Sequence, residues 1–392
     1  MSITTETVGA NAERARSHNR QMVLDRVRQA GQIGRAEIAR GSGLSTQAVS
    51  NIISDLLSDG LISEQGRKAT TRGQPPVQYG LNPVGGYAVG IEIRPDAIFA
   101  TVLDLCGKPV ASLRRTLAVH DLNGVTEAVV AAKSAIIEEA DLPASKVLGV
   151  GIVMPGPFGR TGLSGTGSEL SIFHEVSPTD WFTEALNTPV VVENDANAAA
   201  VAELVAGAAR GLDTFACLYF GNGLGLGLIQ DGRLVRGAFG NAGEIGHIPV
   251  TSKGRAVPLE AALSRLAVQK HLANAGFDIR SSDGLAEAYA ARNAALMTWL
   301  DAAAAEPLSH AITIIENMFD PEAVILGGAM PDAIFDHLIS SVTLAERSVS
   351  NRPGRTTDRL LRGASGRMTG TLGAGALVIN RAFTPRIAAV AR

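Results

Sequence analysis

The chain reads as an α/β protein in two parts. A small winged helix-turn-helix stands at the amino terminus, and a larger α/β body follows. Three observations carry this. Apolar residues recur at helical spacing through residues 19–60 and then give way to a short strand. Charge is split: residues 1–80 hold 10 Lys+Arg against 7 Asp+Glu (net +3), and the rest holds 25 against 31 (net −6). From Gly86 onward, a strand meander followed by helices occurs twice. The 392 residues suffice for two or three domains, and 46% apolar content can build a sizeable core. A net charge of −3 excludes a global basic field, so a nucleic-acid contact belongs to the basic end. Two cysteines, Cys106 and Cys217, exclude a disulfide scaffold and read as buried small hydrophobes. No run of 18 apolar residues and no amino-terminal apolar leader is present, so a cytoplasmic protein is expected.

Residues 1–17 read as a disordered tail and 18–82 as the DNA-binding module. The first helix is expected from about Asn19 to Ala30, with Met22, Val23 and Val27 on one face. A short second helix covers Arg35–Gly41 and stops at glycine. The third opens at Ser45, a good N-cap, and carries Val49, Ile52, Ile53, Leu56 and Leu57 at helical spacing. Gly60 closes it, and Leu61-Ile62-Ser63 starts a strand. This third segment would be the recognition helix, presenting Thr46, Gln47, Ser50 and Asn51. Gln47 and Asn51 each suit bidentate contact with adenine. Arg67, Lys68 and Arg72, among turn-forming residues, read as a basic wing on phosphates or a minor groove. A helical interaction domain with a polar surface is the alternative. Asn82-Pro83 and Gly85-Gly86 mark a short linker to a body over 83–392.

In the body, YAVGIEI, AIFATVLDL and PVASLRRTLAV read as strands, and about Gly124–Ala140 as a helix. KVLGVGIVMPGP and PVVVEN are further strands, and DANAAAVAELVAGAA is a helix. FACLYFG, LGLGLIQDG and RLVRG begin the second set, and the last third is mostly helix around AVILGG. A cleft between two lobes follows. Three constellations there can carry chemistry. Asp195, in Glu193–Asn197, sits where a strand meets a helix and is either a general base on a hydroxyl or a simple N-cap. Gly221–Gly227 alternates glycine, allowing close backbone approach to a ligand. Glu244 and His247, three apart, can converge on a polyol, or form a structural pair or half a metal site.

The run GNGLGLGLIQDGRLVRGAFGNAGEIGHIPV resembles the signature of the ROK family of repressors and sugar kinases, and ENDANAAA and AVILGG resemble its neighbouring motifs. Residues His18–Ile62, followed by RGQPP, resemble the winged helix of its repressor branch. The resemblance spans about His18–Ile379. It implies an actin-like ATPase body, two ribonuclease H-like lobes around a sugar cleft, and dimers or tetramers on palindromic operator DNA. By position, Asn194, Asp195, Glu244 and His247 match the family's sugar-hydroxyl contacts, and Glu260 matches a further one. Asp195 also matches the catalytic base of the kinases.

The chain departs from the kinase pattern at several points. Kinases open their first strand pair with Asp-x-Gly-Gly-Thr-Lys, and here Glu92-Ile93-Arg94-Pro95-Asp96-Ala97 stands instead. Pro95 offers no N–H and Asp96 repels phosphate. Asn222 replaces a threonine of the second phosphate loop. The family's zinc cysteines are absent from Ser252–Pro258, so no metal and no cofactor are expected. In the wing, Gly73-Gln74-Pro75 replaces Gly-Arg-Pro. The expected function is a transcriptional repressor of carbohydrate genes whose kinase-derived domain binds a sugar without phosphorylating it. An active sugar kinase, or a repressor answering to a protein partner, are the alternatives.

Overall fold

A computed structural model describes residues 10–67, 76–94, 97–159, 161–162, 171–173, 175–252, 255–364 and 366–383. The amino-terminal part comprises α1 (Ala10–Ala30), β1 (Ile33–Gly34), α2 (Arg35–Ser42), α3 (Thr46–Ser58), β2 (Ile62–Arg67) and β3 (Val77–Leu81). The strands form an antiparallel sheet ordered β1-β3-β2. Val23, Leu24 and Val27 of α1 pack with Ile38, Val49, Ile53 and Tyr79. Leu24 takes the place expected for Met22, which is half-buried. The Ser45 hydroxyl accepts the Ala48 N–H at 3.2 Å and so opens α3. Gly60, at φ +71°, supplies the left-handed turn after it.

The disordered tail expected over residues 1–17 is helical from Ala10, where α1 begins, and residues 1–9 lie outside the described residues. No apolar periodicity announces this stretch. Its Ala, Glu and Arg residues are good helix formers, and extending an existing helix avoids the cost of nucleation. Arg16 reaches Asp55 at 2.9 Å, and Arg20 pairs with Asp59, so α1 is also tied to α3. Strand β1 was not expected either, being only two residues long.

The linker is stitched to both sides. The Asn82 side chain donates to the Gly60 carbonyl at 2.7 Å, and the Pro83 carbonyl accepts the Leu105 N–H at 3.1 Å.

The first lobe contains β4 (Tyr87–Ile93), β5 (Ala97–Asp104), β6 (Pro109–Thr116), α4 (Leu122–Glu139), β7 (Val147–Val153), α5 (Pro178–Leu186) and β8 (Val190–Glu193). Helix α6 (Asp195–Ala206) follows. The second lobe begins with β9 (Phe215–Phe220), β10 (Leu224–Gln230) and β11 (Arg233–Leu234). A hairpin of β12 (Pro249–Ser252) and β13 (Arg255–Pro258) leads to α7 (Leu259–Ala262) and α8 (Arg265–Asn274). Then come α9 (Ser282–Ala290), α10 (Ala294–Thr298), α11 (Ala305–Phe319), β14 (Ala323–Gly328), α12 (Asp332–Ser341), β15 (Leu360–Arg362) and α13 (Thr369–Phe383).

The sheet orders are β6-β5-β4-β7-β8 and β11-β10-β9-β14-β15. In each, the first three strands are antiparallel and the last two are parallel. The repeated meander is therefore a duplicated ribonuclease H-like unit, the actin-like architecture. Among the described residues, no helix is long and apolar enough to cross a membrane.

The lobes exchange helices. Helix α6 leaves the first lobe and packs on β9 and β10 of the second, while α13 leaves the second and packs on β4 and β7 of the first. Small residues permit this. A Cβ on Gly151 would overlap the Ala374 carbonyl oxygen, and one on Gly90 would crowd the backbone of Thr371 and Gly375. Gly225 and Gly227 face Ala196 and Ala200 in the same way. We predict that Gly151→Ala destabilises the protein by about 3 kcal/mol, since backbone cannot retreat as a side chain can. Urea unfolding followed by circular dichroism measures this.

Candidate effector cleft and DNA-facing helix

Strand β8 ends at the buried Glu193, and Asn194 caps α6 by accepting the Asn197 N–H at 2.8 Å. The cap is Asn194, which leaves Asp195 as the first helical residue. Asp195 Oδ1 accepts the Ala196 N–H at 2.9 Å, and Oδ2 lies 3.3 Å from where a Cβ on Gly221 would sit. The absent side chain at Gly221 thus keeps space open beside the carboxylate. Burial, then the negative charge of Glu92, push the Asp195 carboxyl up to about 6, and Glu244 adds to this against the pull of the Ala196 N–H.

The second lobe supplies the facing wall. The Leu226 N–H donates to the Gly243 carbonyl at 3.0 Å, and Gly243 at φ +94° has no room for a side chain against the Leu226 carbonyl. This sets Glu244 ahead of a single 3-10 turn, Ile245–His247. His247 Nε2 is 3.8 Å from Glu244 Oε2, and its Nδ1 is 4.0 Å from Glu260 Oε1 on α7. These gaps are too long for hydrogen bonds, so the three groups share a space without closing it. Burial raises the Glu244 carboxyl; His247 lowers it and Glu260 raises it. A Cβ on Gly156, in the loop after β7, would lie 3.6 Å from both the Asn194 Cβ and Glu244 Oε1. The structure therefore brings Asn194, Asp195, Glu244, His247 and Glu260 to one cleft. Acceptor-rich walls of this kind suit a ligand with several hydroxyl donors.

Sequence reasoning missed several neighbours. Arg236 Nε donates to Glu193 Oε2 at 2.6 Å, and Asn197 Nδ2 to Glu193 Oε1 at 2.9 Å. Asn241 Oδ1 accepts the Phe158 N–H at 2.8 Å, and its Nδ2 donates to the Phe158 carbonyl at 3.0 Å. Glu193 and Asn197 lie in the run already singled out, whereas Phe158, Arg236 and Asn241 are marked only by the Gly and Pro content of their loops. Deeper in the cleft, Arg94 donates to both Glu92 oxygens (2.8 and 3.0 Å) and stacks 4.2 Å from the Phe99 ring. Thr371 Oγ1 donates to Glu92 Oε2 at 2.6 Å. Pro95 and Asp96 lie outside the described residues. Arg265 pairs with the Asn222 side chain at the β9–β10 turn.

The residues present do not fit the family's structural zinc. Both cysteines lie elsewhere, Cys217 in β9 and Cys106 after β5, and among the described residues no group of three or more candidate ligands could hold a metal. The β12–β13 hairpin spans the segment instead, with Pro249 opposite Pro258.

On α3, Thr46, Gln47 and Asn51 are exposed and Ser50 is half-buried. Gln47 Nε2 donates to Asn51 Oδ1 at 3.1 Å, joining the two amides into one polar edge. Arg67 is exposed at the end of β2; Lys68 and Arg72 lie outside the described residues.

Fold and cleft together define a two-lobed actin-like body joined to a winged helix. The ROK family model matches residues 88–381, three quarters of the chain, and the chain belongs to the ROK family. It is 28% identical to the xylose repressor of Bacillus subtilis over 60% of this chain and 61% of that protein. It is 23% identical to the DNA-binding transcriptional dual regulator NagC of Escherichia coli over 82% and 83% of the two chains. Among solved structures, a ROK family transcriptional regulator, a homolog of the E. coli MLC protein, superposes with a TM-score of 0.72 (22% identity, 94% of this chain and 97% of that one). The ROK hexokinase of Thermus thermophilus gives 0.57 (25% identity, 74% and 97%).

Proposed function

We propose that this chain is a sugar-responsive transcriptional repressor. Its winged helix (residues 18–82) binds operator DNA, and its cleft (within 83–392) binds a sugar or sugar derivative that releases the operator. The observation that carries this is the convergence of Asn194, Asp195, Glu244, His247 and Glu260 on one cleft, in a chain that also presents an amide-lined α3. The likeness to repressors named for xylose and N-acetylglucosamine supports a monosaccharide as ligand. The regulator acts in the cytoplasm as a homodimer or homotetramer on a palindrome, the symmetry of the operator mirroring that of the protein.

The cleft acts as a sensor and not as a kinase. Phosphoryl transfer needs donors and cations free to neutralise phosphate. Where the kinases place glycines, Arg94 is committed to Glu92 and Phe99. Asp195 therefore binds a hydroxyl that has no phosphoryl group to receive.

The test is fluorescence anisotropy on DNA from upstream of the protein's own gene, with D-xylose, N-acetyl-D-glucosamine and other sugars added in turn. Operator release by one sugar, with no ATP consumed, is the expected result. Specific DNA binding indifferent to every sugar contradicts it, and sugar-dependent ATP consumption restores the kinase reading.

A further inference from the structure

The lobes meet at the cleft mouth through two side-chain clasps. Asn241 belongs to the second lobe, because its loop is hydrogen-bonded to β10. It spends both ends of its amide on the Phe158 backbone, and the Phe158 ring packs against the first-lobe core. The clasp therefore grips the lobe and not only its loop. Arg236, also from the second lobe, holds Glu193 at the end of β8. Glu193 is 2% exposed, so losing this partner leaves a buried carboxylate short of a cation. Between the clasps lie Asn194, Gly156 and Glu244, which come from both lobes. Both clasps cross from the second lobe to the first, so any rotation between the lobes would have to break them.

The DNA module is seated to feel that rotation. The middle of α1 (Ser17, Arg20, Gln21, Leu24) faces Leu105 and Leu148 of the first lobe and Phe383 at the end of α13, across a cavity of about 180 Å³. Its carboxy-terminal half (Asp25, Arg28, Gln29) faces Val205 at the end of α6 and the turns Arg210–Asp213 and Asp231–Arg233 of the second lobe, across about 200 Å³. One helix thus packs on the end of α13 and lines gaps against both lobes and the end of α6. Cavities beneath it leave room to re-seat, unlike a close-packed contact. Ion pairs to Asp55 and to Asp59 at the C-cap, and a core shared by Val23, Val27, Val49 and Ile53, tie α1 to α3.

Taking the chain as a sugar-responsive repressor, we propose that Asn241 and Arg236 are positioning residues that set the angle between the lobes, holding the two walls of the effector site together and, through α1, fixing the seat of the winged helix.

The test compares full-length parent, Asn241→Ala, Arg236→Ala and Arg236→Lys by amide hydrogen exchange without sugar or DNA. Unchanged exchange in β4 and β9 verifies that each variant retains the fold despite the burial of Glu193. Asn241→Ala and Arg236→Ala are expected to raise exchange across residues 20–30 by about threefold or more, while Arg236→Lys stays near the parent. Faster exchange confined to residues 155–158 and 236–243, or Arg236→Lys as loose as Arg236→Ala, overturns the proposal. These readouts need no ligand. If α1 loosens as expected but no sugar releases operator from the parent, the clasp stands and the repressor reading fails.

Discussion

Asp195→Ala is expected to abolish the sugar response while operator affinity stays within about twofold of the parent. Hydrogen bonds from ligand hydroxyls to a carboxylate are charge-assisted, and each contributes about 1.5–3 kcal/mol. Asp195 is placed to accept them, with Oδ2 toward the space at Gly221. Losing it lowers sugar affinity by about 100-fold, beyond useful concentrations. Isothermal titration with the releasing sugar and anisotropy on operator DNA separate the two effects. Equal induction in this variant removes Asp195 from the site.

The same carboxyl predicts two opposite pH trends. Asp195 ionises at about 6 in the folded chain, against 3.8 for an ordinary aspartate. Between those values the folded protein holds a proton that the unfolded chain has released. Its contribution to stability is therefore favourable at low pH and falls as pH rises from about 4 to about 6. Above pH 6 the partly buried charge costs folding about 3 kcal/mol. Asp195→Asn should thus be more stable than the parent at pH 8 by about that amount and equal to it near pH 4, as measured by urea unfolding. Sugar binding runs the other way. The ionised carboxylate is the better acceptor, so parent affinity should rise about tenfold from pH 5 to pH 7, and the Asn variant should show no such rise.

Asn51→Ala is expected to lower operator affinity by about 10–100-fold and to relax selection at one base pair. Sugar binding should be unchanged, because Asn51 lies on exposed α3 and not in the cleft. Its amide receives the Gln47 amide at 3.1 Å, so the two act as one recognition edge. Gln47→Ala and the double variant should therefore be non-additive, the pair costing less than the sum. Arg67→Ala, at the wing, should weaken binding to every sequence alike and flatten its salt dependence. A panel of single-base operator substitutions titrated by anisotropy distinguishes the two patterns. Unchanged operator affinity in Asn51→Ala argues for a different DNA-facing surface.

The elements readable in the sequence are those with strong periodicity and punctuation. FACLYF and LGLGLIQ announce β9 and β10 because apolar runs are bounded by glycine, and α3 announces itself through Ser45, Gly60 and five apolar positions. The cleft residues stood out because carboxylates and amides cluster at the strand–helix junction and after the Gly-rich loop. What escaped depends on partners distant in sequence. The first turns of α1 are polar and are held partly by aspartates 39 residues away. β15 is three residues long and is recognisable only once paired with β14. Asn241 reads as an ordinary turn residue until Phe158, 83 positions earlier, is placed against it. The β12–β13 hairpin was hidden by its short strands and by the departure from the family's cysteine pattern.

If one chain couples sugar in the cleft to operator release, the two ligands must act on each other. A coupling free energy is reciprocal, so it can be measured from both sides. Operator affinity should be titrated with and without saturating releasing sugar, and sugar affinity with and without saturating operator. Each ligand should weaken the other by the same factor, within about 5–150-fold, and the factor should fall to one in Asp195→Ala. A sugar that binds equally tightly to free and operator-bound protein contradicts this coupling.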